Sequence, residues 1–137
     1  MLKFLILNSL ILMALPACQL ISPIVTDYNG VRMDVAHYIN HSWRFSLKER
    51  DTLVAYAKQQ QKITAWQRLN PTEQHNLAQQ RLMGRYCATQ KMSPKKLDLV
   101  DAQIFADVGA QRNLAAMHQL QHNLQLNLDT IDCDNKI

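Results

Sequence analysis

Apolar residues along this chain follow two regimes. From Leu2 to Leu15 they run nearly unbroken, interrupted only by Lys3, Asn8 and Ser9, whereas beyond about Val31 they recur at helical spacing between polar stretches. In the second regime Met33, Val35, Tyr38 and Ile39 outline a short amphipathic helix over 31–40, followed by Trp43 and Phe45. Ser46-Leu47-Lys48-Glu49 has the form of a capping box, so a helix is predicted to start at Leu47. Its apolar positions are Leu47, Leu53, Val54, Ala57 and Ile63, with Trp66 and Leu69 as an extension. Phe45, just ahead of the cap, is placed to staple against Arg50 or Leu53. Asn70-Pro71-Thr72-Glu73 supplies a cap, a proline at the first helical position and a glutamate at the third. That helix should run to about Gln90, with Leu77, Ala78, Leu82 and Tyr86 facing inward. Ser93-Pro94 repeats the device and opens a third helix carrying Leu97, Val100, Ile104 and Val108 on one face.

The first regime has the layout of a cleaved secretory signal: one cation, an apolar region too short for a membrane span, and small residues before the break. Leu15-Pro16-Ala17-Cys18 resembles the lipobox of bacterial lipoproteins. The resemblance implies that Cys18 is acylated with fatty-acid chains and becomes the first residue of the mature chain. Gln19, where an aspartate would retain the protein in the inner membrane, implies the outer membrane with the domain facing the periplasm. Each buried acyl methylene contributes about 0.8 kcal/mol, so two or three chains hold a protein durably where one does not. No specific family is recognised for the mature domain. The organisation expected is a signal peptide over 1–17, a lipidated cysteine with tether and lead-in over 18–45, a helical domain over 46–133 and a polar tail over 134–137. In the tether Ser22, Pro23, Asp27 and Asn29-Gly30 carry no sustained period.

Loss of the signal leaves about 120 residues, one domain's worth, and removal of Lys3 lowers the formal net charge from +4 to +3. The basic residues are interspersed, which gives no nucleic-acid signature and only a mild preference for anionic partners such as lipid headgroups. Three glycines, few β-branched or aromatic residues and abundant glutamine disfavour sheet, and the fold class expected is all-α.

With Cys18 acylated, as the lipobox implies, Cys87 and Cys133 remain in an oxidising compartment, and a single disulfide is expected. That bridge bears on the chain after Pro94. A straight helix from there to Leu128 would be about 50 Å long, whereas bridged cysteines need Cα atoms within about 7 Å. The chain must then turn back, and Gly109 is the expected place. The stripe Leu97, Val100, Ile104, Val108 supports a break, because later apolar residues fall on Leu114, Met117, Leu120, Leu124 and Leu128. A second stripe through Leu99, Ala102, Ala106, Ala110, Leu114 and Met117 runs straight on, and it defines the alternative: a long helical hairpin with unpaired cysteines. The preferred reading is a small bundle of three to four helices after a short tether, closed by one disulfide.

For chemistry, His37 with His41 and His118 with His122 have the i, i+4 spacing that lets two imidazoles share zinc or copper. No carboxylate or cysteine joins either pair within a turn, and exposed or rim histidines are the simpler reading. No metal or other cofactor is expected, although a metal- or small-ligand-binding lipoprotein is the alternative function. Asp98 with Asp101 reads as a solvated helix face, and Asp132 with Asp134 as polar tail. No nucleophile with a base and orienting acid, and no glycine-rich phosphate loop, is present. Arg81, Arg85 and Trp66 are the candidate partner surface. The function expected is therefore non-catalytic: an accessory or scaffolding subunit that binds an envelope protein while held to the membrane by lipid.

Overall fold

Three of the helices begin at a side-chain cap. The computed structural model describes residues 30–134, and the expected signal peptide, Cys18, the expected tether up to Asn29 and residues 135–137 lie outside them. Among the described residues the regular elements are helical: α1 (Met33–His41), α2 (Leu47–Gln60), α3 (Pro71–Lys91), α4 (Pro94–Ile104) and α5 (Val108–Gln121). α2 runs directly into a 3₁₀ stretch, Gln61–Arg68, and a 3₁₀ turn covers Leu128–Thr130. Both capping boxes form as predicted. The Ser46 hydroxyl accepts from the Glu49 amide at 3.4 Å and the Glu49 carboxylate accepts from the Ser46 amide at 2.9 Å. Asn70 and Glu73 exchange the same pair at 3.0 and 2.8 Å.

The core forms where the helical stripes converge. Val35, Ala36 and Ile39 from α1, Leu53, Tyr56 and Ala57 from α2, Leu77, Ala78 and Ala88 from α3, Leu97, Val100 and Ile104 from α4, and Ala110 and Met117 from α5 are all buried. Ile63 and Trp66 carry the 3₁₀ stretch into the same cluster. α2 packs against α1, α3 and α4, and α5 lies along the 3₁₀ stretch and α3.

Two boundaries differ from the sequence reading. The bundle starts at Val31 rather than Ser46, because Val31, Val35 and Ile39 are fully buried and α1 belongs to the core. Gly30, at φ +78°, occupies the left-handed region that glycine enters without a Cβ penalty, and the Gln61 side-chain amide donates to its carbonyl. The Arg32 amide in turn donates to Gln61 Oε1 at 3.0 Å. The second difference is the position of the break in the long apolar segment. The turn comes at 105–107, and Gly109 is already inside α5. Asp107 is the cap, its carboxylate accepting from the Ala110 amide at 2.8 Å. At the other side of the turn the Arg32 guanidinium donates to the carbonyls of Ile104 and Gln103 at 3.2 and 3.4 Å, which places a cation on the orphan carbonyls ending α4. Once α4 has ended, Val108 leaves the stripe of Leu97, Val100 and Ile104 and is 64 % exposed.

The reversal brings the chain end back to α3, where Cys87 and Cys133 are bridged with their Cα atoms 5.3 Å apart. The fold is thus a small all-α bundle with one disulfide, and it has one helix more than the upper expectation. Phe45 is buried in the same core as Leu53 and meets Tyr38 edge-on, ring centroids 5.8 Å apart, whereas Leu47 is solvent-facing.

Candidate functional site

Within the bundle, the richest concentration of polar chemistry lies where α2, α3 and α4 meet. α3 carries Arg81 and Arg85 one turn apart, α4 carries Asp98 and Asp101 three residues apart, and α2 presents Tyr56 and Gln60 between them. The Arg81 guanidinium donates to Asp101 Oδ2 at 3.1 Å and to the side-chain oxygen of fully buried Gln60. Arg85 donates to the same Asp101 oxygen at 3.0 Å, to the Tyr56 hydroxyl at 3.1 Å and to Asp98 Oδ1 at 2.5 Å. The Tyr56 hydroxyl donates to Asp101, 3.0 Å from both carboxylate oxygens. Asp101 therefore accepts from three side chains on two neighbouring helices. The Phe105 ring lies against the Arg81 guanidinium, 5.7 Å from ring centroid to Cζ.

The electrostatics follow from this packing. Burial and the Asp101 charge push the Tyr56 phenol well above its ordinary range, so it stays protonated and donates. A cleft of 550 Å³ opens over the network, with Arg81, Arg85, Asp98 and Asp101 on one side and His118 and Gln121 of α5 on the other. Partial burial, and next the Arg81 charge, hold His118 below the usual imidazole range. The guanidiniums and carboxylates of the cluster satisfy one another. Its chemistry is that of a polar staple fixing three helices in register, with Arg85 and Asp98 reaching the surface.

This placement corrects part of the sequence reading. Arg81 and Trp66, each 5 % exposed, are interior residues rather than surface ones, whereas Arg85 is engaged in the cluster and still reaches the surface, its side chain 30 % exposed. α3 is rotated relative to the predicted face, so that Arg81 and Gly84 are buried while Leu82 and Tyr86 are half-buried. Asp101 is likewise a packed residue, its side chain 13 % exposed, and only Asp98 keeps the solvated character read for the pair. Tyr56 and Gln60 were missed, and Asp101 was read as solvated rather than as the shared acceptor of the cluster. The available signal was the coincidence of an Arg pair at i, i+4 with an Asp pair at i, i+3 on adjoining helices.

The histidines follow local geometry. His37 and His41 stack face to face, centroids 4.1 Å apart, and His41 Nδ1 lies 3.0 Å from the His37 carbonyl oxygen. His118 is on the cleft wall and His122 caps the end of α5. Among the described residues no cluster of three or more His, Cys, Asp or Glu side chains has metal-holding geometry. None of the described helices is long and apolar enough to cross a membrane.

One aromatic side chain behaves differently from the rest. Trp43, in the turn between α1 and α2, is 88 % exposed, whereas Phe45 two residues on is buried. Comparison of the chain with protein-family models, with curated proteins and with solved structures gives no match.

Proposed function

We propose that this chain is an exported lipoprotein, held by acyl chains on Cys18 at the outer membrane and facing the periplasm, where its helical bundle serves as a non-catalytic accessory or scaffolding subunit that binds an envelope protein. The observation that carries this reading is the division of labour among three cysteines. Cys87 and Cys133 pair with each other, which suits an oxidising compartment and leaves Cys18, at the end of a lipobox-like signal, as the thiol available for acylation. A scaffolding role is supported by the character of the polar cluster, whose charges are spent on holding helices together.

Crosslinking in intact cells followed by mass spectrometry tests the role. One recurrent envelope protein is expected to be joined to the wild-type chain, and its yield should fall several-fold when Cys18→Ala releases the domain from the membrane. Crosslinks with no recurrent partner, or a yield indifferent to the anchor, would contradict the proposal.

A further inference from the structure

A tryptophan side chain in a folded domain ordinarily buries most of its surface, as Trp66 does here, yet Trp43 leaves 88 % of its own in solvent. Its surroundings are basic. The Arg44 guanidinium sits over the indole, 5.5 Å from the ring centroid. From α4, Lys95, Lys96 and Leu99 come up beside these two residues, and together with Ser93 they line a shallow cleft of 470 Å³ that contains no acidic side chain. Lys96 is engaged by Glu49 at 2.6 and 2.8 Å. Arg44 and Lys95 have no carboxylate within ion-pair distance among the described residues.

The composition of this face discriminates between kinds of partner. The centre of a protein–protein interface favours Trp and Arg but is depleted in Lys, whereas here a single indole is set beside two lysines as well as Arg44. Tryptophan with flanking Arg and Lys is the combination that seats at the headgroup level of a bilayer, the ring between water and acyl chains and the cations on phosphate oxygens. Distance permits such seating. From Cys18 to Gly30 the chain can span up to about 40 Å, and α1, whose far end leads into Trp43, is only about 14 Å long.

We infer that the face formed by Trp43, Arg44 and Lys95 docks on an anionic phospholipid surface, so that the bundle lies against the membrane that anchors it. The inference rests on acylation of Cys18 to bring this face to the bilayer.

The test uses the full acylated chain, purified from membranes and inserted into vesicles of phosphatidylcholine alone or of phosphatidylcholine mixed equally with phosphatidylglycerol. The readout is tryptophan emission and its quenching by lipid spin-labelled near the headgroup. A shift to shorter wavelength and quenching are expected only with phosphatidylglycerol. Both should vanish in Trp43→Phe, in the Arg44→Glu/Lys95→Glu double variant and at high salt. These substitutions fall on exposed residues, and unchanged circular dichroism verifies that the fold is intact. Identical emission in the two kinds of vesicle would overturn the inference. A shift that grows with protein concentration in the absence of vesicles would also overturn it, by assigning the face to a second copy. Sedimentation with phosphatidylcholine vesicles scores the anchor separately. A chain that sediments while Trp43 stays in water in the anionic vesicles refutes docking alone; one that does not sediment with the neutral vesicles refutes the anchor, and the anionic vesicles still decide docking.

Discussion

Replacing Asp101 with alanine is expected to cost about 3–5 kcal/mol of folding stability, the range for removing one partner from a buried, hydrogen-bonded ion pair. The size of the effect comes from what is left behind. Asp101 accepts from Arg81, Arg85 and Tyr56, and Arg81 is only 5 % exposed. Without the carboxylate, that guanidinium keeps Gln60 and the Phe105 ring but loses its counter-charge. Urea denaturation measures the loss as a lower midpoint with an unchanged slope. Asp98→Ala is the internal comparison. Asp98 also pairs with Arg85, but its side chain is 64 % exposed, so the expected loss is below about 1 kcal/mol. Equal effects for the two aspartates would contradict the assignment of Asp101 as the hub.

Loss of the disulfide is expected to have a comparable effect. The bridge from Cys87 to Cys133 closes a separation of 46 residues, for which the chain-entropy model gives about 4 kcal/mol. The fold shows where the loss would be felt. α4 and α5 both lie between the bridged residues in sequence, and the segment after α5 adds Leu124 to the core. In Cys87→Ser/Cys133→Ser that final segment should detach first, because it ends in extended chain and a single 3₁₀ turn. Non-reducing peptide mapping of the wild type should recover Cys87 joined to Cys133, and reductant should lower the wild-type denaturation midpoint to that of the double variant. A midpoint indifferent to reductant would contradict the account.

How much of this could be read from the chain depended on whether the cause was local. The starts of α2 and α3 were legible because the Ser46 and Asn70 caps act within three residues of themselves, and that of α4 because Pro94 suits the first helical position, although Ser93 makes no side-chain capping bond. α1 was harder, since Arg32 at its cap position makes no side-chain capping bond and the helix has only nine residues. Burial of Val35, Ala36 and Ile39 against the rest of the bundle holds it in place. The break after α4 was legible through the cysteines, but its position was not. Gly109 looked like the punctuation, whereas Asp107 as cap and Arg32, 72 residues from Ile104, set the turn.

The polar cluster was the least legible part for a related reason. Arg81 falls on the stripe of α3 that also carries Leu77, Ala78 and Ala88. Helical period alone therefore admits it to the interior, but its charge argued for solvent. Only the partners on α2 and α4 resolve the conflict, and partner choice is a tertiary property. Trp66 and Trp43 make the same point in opposite directions. One is buried in the core and the other is left in water, with no difference in residue type to announce it.

The central claim, that this bundle works from a lipid anchor on Cys18, is tested most directly by metabolic labelling of growing cells with a fatty-acid analogue. The wild-type chain is expected to carry the label and the Cys18→Ala chain none, with Cys87 and Cys133 joined to each other in the labelled protein. An unlabelled wild-type chain, or label that persists in Cys18→Ala, would contradict the claim.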